Sequence, residues 1–226
     1  MNSVVIKRDK SSYSESESYK ALRTNLQFCG GDKKIIAITS CMPNEGKSSV
    51  AMELAISLTE NEKKVLLLDA DLRKSIMVGK VKVTHSVKGL THYLAKQATL
   101  MDVVNATDIP GLHVIFAGPF PPNPAELLDS KYFKGMVSSI KNIYDYIIID
   151  TPPLGSVIDS AVVAKECDGV VLVIESGVIR YRFAQNVKEQ MEKSGCPILG
   201  VVLNKVDMTQ KGYYGKYYGK YGAYGD

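Results

Sequence analysis

Gly46-Lys47-Ser48 follows an apolar run, Ile35-Ile36-Ala37-Ile38, and a loop of small and turn-forming residues, and it precedes a helical pattern that starts near Ser49. Strand, tight loop, Gly-Lys-Ser and helix is the order that a phosphate-binding loop needs. Pro43, Asn44, Glu45, Gly46, Lys47, Ser48 and Ser49 would form the cradle, with backbone N–H groups and the positive end of the new helix facing the phosphates. Lys47 would reach the β- and γ-phosphates, and the Ser48 hydroxyl would ligate Mg²⁺. The pattern G-x-x-x-x-G-K-[ST] is imperfect here, because Cys41 stands where its first glycine belongs.

Carboxylates at two further strand ends complete the chemistry. Asp69 follows the apolar run Val65-Leu66-Leu67-Leu68, with Asp71 two positions on, and Asp150 follows Tyr146-Ile147-Ile148-Ile149. An aspartate directly after an apolar strand is costly to bury unless something pairs with it, and Mg²⁺ on nucleotide phosphates supplies that partner. In an open parallel sheet, ligands sit outside the carboxyl ends of the strands, so the three strand ends would share one edge and bind a nucleoside triphosphate.

The elements that must position these residues alternate. Apolar strands are expected at Ile35–Ile38, Val65–Leu68, Leu112–Ala117, Tyr146–Ile149, Val170–Ile174 and Ile198–Leu203. Helical patterns fall between them at Val50–Leu58, Gly89–Ala95, Leu100–Val104, from Pro124 to near Lys131 and on to Tyr144, Val157–Lys165 and Arg180–Lys193. The fold class is therefore α/β, a phosphate-loop NTPase fold with a mostly parallel sheet and helices on both faces. Residues 1–13 read as a polar arm without periodicity. An amphipathic helix covers about 14–28, with Tyr19, Leu22 and Leu26 on one face. Leu72 to Lys88 has no clear pattern. The folded domain is expected to span 14–210.

The last 16 residues differ in kind: six of the chain's 13 tyrosines lie here with five glycines and three lysines, and no aliphatic residue exceeds alanine. Such a segment cannot bury enough surface to offset its ordering entropy, so 211–226 is expected to be a disordered tail.

At 226 residues the chain suffices for one domain with a full core. Its 45% hydrophobic and 23% charged content is that of a soluble globular protein. A net charge of +4 gives no reason to invoke nucleic acid. No apolar run nears the roughly 18–20 residues that span a bilayer, and the N-terminus lacks a signal-peptide core. The four cysteines make no metal-like spacing. With a nucleotide loop, that points to the cytoplasm and to unpaired thiols.

The ordered set resembles the bacterial tyrosine kinases of the capsular and exopolysaccharide systems. Asp69-x-Asp71-x-Arg73 looks like their second Walker motif, and Ile147-Ile148-Ile149-Asp150-Thr151-Pro152-Pro153 like their Walker B. Gly118-Pro119-Phe120-Pro121-Pro122-Asn123-Pro124-Ala125-Glu126-Leu127-Leu128 resembles a connector of the family. Glu17-x-x-Lys20-x-x-Arg23 resembles its oligomerisation motif, and the tail its tyrosine cluster. The likeness runs from about Ser16 to Asp226. Lys20 stands where the family commonly has arginine, which keeps the charge and loses the bidentate fork. Ser75 stands where a proline often follows the Arg-Lys pair. The resembling kinases also lack the first loop glycine.

The resemblance implies an ATP- and Mg²⁺-dependent protein-tyrosine kinase that phosphorylates its own kind and governs capsule or exopolysaccharide production. Lys47 and the loop amides would hold ATP, Ser48, Asp71 and Asp150 the metal or its water shell, and Asp69 the attacking phenol. Asn204 and Lys205 are candidates to frame the base. Tyr213, Tyr214, Tyr217, Tyr218, Tyr221 and Tyr224 would be the phosphoacceptors. Glu17, Lys20 and Arg23 would contact neighbours in a homo-oligomeric ring, an octamer by resemblance. A membrane-bound polysaccharide co-polymerase would recruit the kinase to the inner face of the membrane and activate it, and a tyrosine phosphatase would oppose it.

Two alternatives stay open on sequence. The partition and cell-division ATPases share the fold and both aspartate motifs, but they carry a signature lysine where this chain has Met42, and they lack the tail. A regulatory subunit with a degraded site is the other.

Overall fold

The computed structural model describes residues 2–7, 13–60, 62–83 and 86–207. Nine strands of these residues form one sheet: β1 (Asn2–Ile6), β2 (Ile35–Ser40), β3 (Val65–Asp69), β4 (Val81–Lys82), β5 (Val104–Thr107), β6 (Leu112–Ile115), β7 (Tyr146–Asp150), β8 (Gly169–Glu175) and β9 (Ile198–Asn204). Their order across the sheet is β4-β1-β5-β6-β3-β7-β2-β8-β9. All neighbours run parallel except β1 with β4 and β5 with β6. The helices are α1 (Tyr13–Phe28), α2 (Lys47–Thr59), α3 (Leu90–Leu94), α4 (Leu100–Val103), α5 (Pro124–Asp129), α6 (Lys131–Lys141), α7 (Asp159–Ala164) and α8 (Tyr181–Glu192).

The central strands are apolar up to their carboxyl ends because both of their faces are covered. Successive residues point to opposite faces. Ile36 and Ile38, Leu67 and Ile148 pack with α1 and α2, whereas Ile35, Leu66 and Leu68, Ile147 and Ile149 pack with residues of α3, α5, α6 and α7. A third cluster joins β8 to α8 through Val170, Leu172, Val187 and Met191. The mostly parallel α/β sheet expected from the sequence is present. All four cysteines are free thiols. No helix among the described residues is long and apolar enough to cross a membrane.

Two features depart from the sequence reading. Residues 2–6, read there as part of a polar arm, form β1, parallel to β5 and antiparallel to β4. The reason is a short alternation: Val4 and Ile6 are buried in the core, while Ser3 and Val5 face out. A strand that the sequence reading did not include, β5, follows α4 and lies antiparallel to β6. In the stretch without a clear pattern, a 3₁₀ turn at Met77–Lys80 buries Met77 and feeds β4.

Asp168 fixes the start of β2. Its Oδ2 accepts the Lys34 and Ile35 N–H groups at 3.0 and 2.9 Å, and its Oδ1 the Lys141 ammonium at 2.8 Å. Partial burial opposes its ionisation, but Lys141 and the two amides prevail and hold its carboxyl below the usual aspartate range. Stability from a depressed carboxyl is present above the unfolded pKa and lost as the pH falls through the folded one. Asp168→Ala is expected to cost about 2 kcal/mol in urea unfolding at pH 7. That penalty should shrink below about pH 4; a penalty independent of pH would refute the assignment.

Candidate active site at the carboxyl edge of the sheet

β3, β7 and β2 are adjacent, which brings the three predicted strand ends together. Asp69 and Asp150 are register partners across β3 and β7, and the Ala70 N–H donates to the Asp150 carbonyl at 2.8 Å. Ile38 lies beside Asp150 across β2 and β7, so the loop after β2 opens directly over both carboxylates. Thr151 Oγ1 donates to the Ile38 carbonyl, and Thr39 Oγ1 to the Pro152 carbonyl, both at 2.9 Å. These bonds lock the two strand ends to one another.

The Lys47 ammonium points into this corner. It lies 3.1 Å from Asp71 Oδ2, 3.6 Å from Asp150 Oδ1 and 3.2 Å from Ser48 Oγ. Burial alone would lower its pKa, but Asp150 and Asp71 hold it above the usual lysine value. One ammonium cannot neutralise three buried carboxyls. Burial, and then the nearby Asp150 charge, push Asp69 up to about 8. Burial raises Asp150 to about 6 against the pull of Lys47 and Ser48. The loop after β3 is closed by its own side chains. Asp69 accepts the Asp71 N–H at 3.1 Å and the Ser75 hydroxyl, and Asp71 accepts the Lys74 N–H at 3.0 Å. Arg73 makes a two-pronged bond to the fully buried Asp159 at 2.8 and 3.0 Å, tying this loop to the start of α7.

The phosphate loop has a second support from β8 and β9. Glu45 is buried, and its carboxylate accepts the Met42 N–H at 2.6 Å and the Glu175 N–H at 3.0 Å. Its side chain therefore folds away from the phosphate position, leaving its backbone to the cradle. Asn204 Nδ2 donates to the Glu45 carbonyl at 2.8 Å, and Lys205 Nζ to the Asn44 carbonyl at 2.7 Å and to Glu175 at 2.8 Å. Asn204 and Lys205 thus lie against the loop and strap it. Gly46 turns at φ 89°, and a Cβ there would meet Asn204 Nδ2 at 2.2 Å, so the loop needs glycine for both conformation and space. Pro43 and Asn44 are exposed at the loop's tip, and Ser48 is buried beneath it. Ser49 accepts the Lys80 ammonium at 2.9 Å.

The remaining expected residues lie elsewhere. Glu17 and Lys20 pair with each other at 2.8 Å on the outer face of α1. Arg23 instead turns inward and binds the Ser57 carbonyl and Glu60 at the end of α2. The six tail tyrosines lie outside the described residues. Sequence reasoning missed Glu45's internal role, Ser75, Lys80 and the Arg73–Asp159 pair. Only Ser75 carried a signal, as a hydroxyl in place of a proline.

An AAA-domain family model matches residues 33–193. The tyrosine-protein kinase CpsD of Streptococcus agalactiae is 49% identical over 92% of this chain and 89% of its own length. The chain belongs to the bacterial tyrosine-kinase family. It is a protein-tyrosine kinase on an ATP-binding phosphate-loop fold. Among solved structures, the kinase domain of the Escherichia coli tyrosine kinase ETK matches with TM-score 0.79 and 33% identity, covering 88% of this chain and 79% of that one. The septum site-determining protein MinD of Pyrococcus horikoshii, solved with Mg-ADP, matches at TM-score 0.65 and 26% identity over 78% and 72%. The fold is shared with the positioning ATPases, but the likeness to the kinases is greater in both measures, and the positioning-ATPase reading is set aside.

A pH dependence follows from the raised Asp69. Its folded pKa lies above its unfolded value, so its stabilising contribution is complete below about pH 4 and is lost as the pH rises through about 8. In ligand-free protein, Asp69→Asn is expected to raise the melting temperature at pH 8.5 by about 3–5 °C, with the gain vanishing near pH 4. Scanning calorimetry across that range decides it; parallel curves for the two proteins would contradict the assignment.

Proposed function

We propose that this kinase transfers the ATP γ-phosphoryl group to the tyrosines of its own tail, Tyr213, Tyr214, Tyr217, Tyr218, Tyr221 and Tyr224, between copies of the chain. The carrying observation is the Lys47 ammonium held between Asp71 and Asp150 at the mouth of the phosphate loop, in a chain that ends in a tyrosine cluster. Lys47 and the loop amides hold the phosphates, and Asn204 and Lys205 keep the loop in shape from beneath. The tyrosine oxygen forms the new bond to the γ-phosphorus as the bond to the ADP oxygen breaks. Asp69 orients the phenol and, in its ionised form, receives its proton. Such a transfer needs chiefly positioning and charge neutralisation.

The residues fit Mg²⁺. Asp150 Oδ1 is buried without a hydrogen-bond partner, 3.6 Å from Lys47, and Asp71 and Ser48 stand beside it. Among the described residues no three His, Cys, Asp or Glu side chains form a metal cage by themselves, which suits a cation held jointly with substrate phosphates. Ser48, Asp71 and Asp150 would hold it, and when bound it supplies the positive charge that three carboxyls and a triphosphate require.

The tail gives this reaction a regulatory outcome. Six phosphates at about −1.5 to −2 each convert a basic segment into a strongly acidic one, which the site's carboxylates repel. Sixteen extended residues span at most about 50–60 Å, enough to reach a neighbour. Unphosphorylated tails dock in neighbouring sites and hold a ring through Glu17, Lys20 and Arg23, the last exchanging its contacts with Ser57 and Glu60 for a neighbour's acceptors; phosphorylated tails release it. A membrane-bound polysaccharide co-polymerase recruits and activates the kinase, a tyrosine phosphatase resets it, and capsular or exopolysaccharide synthesis is what the cycle regulates.

Complementation tests the transfer between copies. A Lys47→Met chain and a chain with all six tail tyrosines changed to phenylalanine are each expected to yield no tail phosphotyrosine with Mg-ATP. Mixed, they should restore it, on the Lys47→Met chain alone. Silence in the mixture, with phosphotyrosine in the wild type, would refute transfer between copies. Light scattering on the wild type should show mass falling as phosphotyrosine rises; constant mass would refute the release model.

A further inference from the structure

The catalytic carboxyls are buried at the strand ends, and the segments that leave those strands carry apolar side chains facing solvent. Asp69 is fully buried, and Asp71 and Asp150 nearly so. A hydroxyl one bond beyond a Cβ cannot come down to them without bringing its backbone along; a phenol at the end of a rigid ring can. Two such segments border the site as walls. One is the segment after β3, where Ile76 is 53% exposed. The other is formed by the chain leaving β7 and β6, where Ile158 is 58% and Phe120 65% exposed.

Several contacts fix this second wall to the site. The Leu154 N–H donates to the Ser40 carbonyl at 2.9 Å, and a Cβ on Gly155 would meet the Cys41 carbonyl at 2.2 Å, so the chain approaching Ile158 lies directly on the phosphate loop. Asp159, the next residue, holds Arg73 of the loop after β3. Ile158 therefore stands between the two loops that carry Lys47 and Asp71. Phe120 arrives from the other side. β6 pairs with β3 as far as Leu68 and Ile115, so the chain beyond Ile115 leaves the sheet beside Asp69. The loop is pinned by the buried Pro121 and Pro124, and it feeds α5, which packs against α7. The loop buries Pro121 and Pro124 and exposes Phe120 together with Pro119 and Pro122, so its one phenylalanine ring is held outward.

We propose that Phe120 and Ile158 are the acceptor-recognition residues of this kinase. They grip the ring of a tyrosine in the glycine-, tyrosine- and lysine-rich segment of a second copy of this chain as its phenol descends toward Asp69. The inference rests on the tail being the acceptor. The segment's chemistry suits the wall. Glycine neighbours keep the approach narrow, aromatic rings pack on Phe120 and Ile158, and the segment's three lysines meet the exposed Glu126 of α5 and the acidic floor. Serine and threonine side chains gain nothing from such a wall, so it also selects tyrosine.

The test uses full-length chains. The catalyst carries the six tail Tyr→Phe changes, and the acceptor is the Lys47→Met chain. Phe120→Ser and Ile158→Ser, placed one at a time in the catalyst, are each expected to raise the KM for acceptor about tenfold. kcat at saturating acceptor and the KM for ATP should stay unchanged, and Phe120→Leu and Ile158→Val should restore most of the affinity. An unchanged acceptor KM, or a loss confined to kcat or to ATP binding, would overturn the assignment. So would a change in particle mass that accounts for the whole effect, because the two residues would then be ring contacts. If the parent catalyst yields no phosphotyrosine on the acceptor, the tail-acceptor reading itself fails and this assignment falls with it.

Discussion

The Lys47 ammonium and the carboxyls of Asp69, Asp71 and Asp150 share a space that water barely reaches. Four ionisable groups there, three of one sign, is an arrangement that folding by itself would not select, because each buried charge loses its hydration. The protein tolerates it by leaving the charge incomplete. Lys47 satisfies Asp71 and approaches Asp150, while burial and the neighbouring charge favour the protonated form of Asp69. The protein's own side chains therefore leave the site short of positive charge. A triphosphate alone would make that worse, so what the corner can accept is phosphate that brings its own cation.

The strand order makes this crowding unavoidable. β3, β7 and β2 lie side by side at the centre of the sheet, and each must be apolar to be buried on both faces. Polar chemistry can begin only where the strands end. Parallel direction puts those ends on one edge, and the register pairs Asp69 with Asp150 and Ile38 with Asp150, which leaves little latitude in where the carboxyls sit. The antiparallel additions, β1 with β4 and β5 with β6, extend the sheet outward without touching this geometry.

The sheet and the charged corner were legible in the sequence because both rest on local pattern: unbroken apolar runs of strand length, each followed by a carboxylate or by Gly-Lys-Ser. The family likeness then gave those residues roles. What escaped notice depended on partners far along the chain. Val4 and Ile6 show their alternation over too few residues to stand out, and their burial is decided by Met77 and Val81. Glu45 looks like a loop residue until β8 supplies the Glu175 N–H that draws its carboxylate inward. Asp159 has no local mark of importance; Arg73, from a loop far earlier in the chain, gives it one. Arg23 shows the converse. Its resemblance to a family motif grouped it with Glu17 and Lys20 toward neighbouring subunits, and the motif alone does not show that the end of α2 offers it acceptors within the same chain.

The two supports of the phosphate loop differ in kind, and the difference bears on catalysis. On one side the loop is joined to β3 and β7 through Lys47, an ionic contact that must break for the ammonium to turn toward phosphate. On the other it is joined to β8 and β9 through Glu45, Asn204 and Lys205, whose bonds run to loop or neighbouring backbone apart from the Lys205–Glu175 ion pair. Nothing in phosphate binding requires those to move. In the proposed reaction the backbone cradle is thus held by the protein's own bonds, and Lys47 is the side chain whose contacts would have to change. Preorganisation of this sort lowers the ordering cost of binding and keeps the amides aimed at the phosphates through the transfer. The backbone turn at Gly46, closed on one side by Asn204 and opening on the other toward Lys47, is where the rigid support hands over to the responsive one.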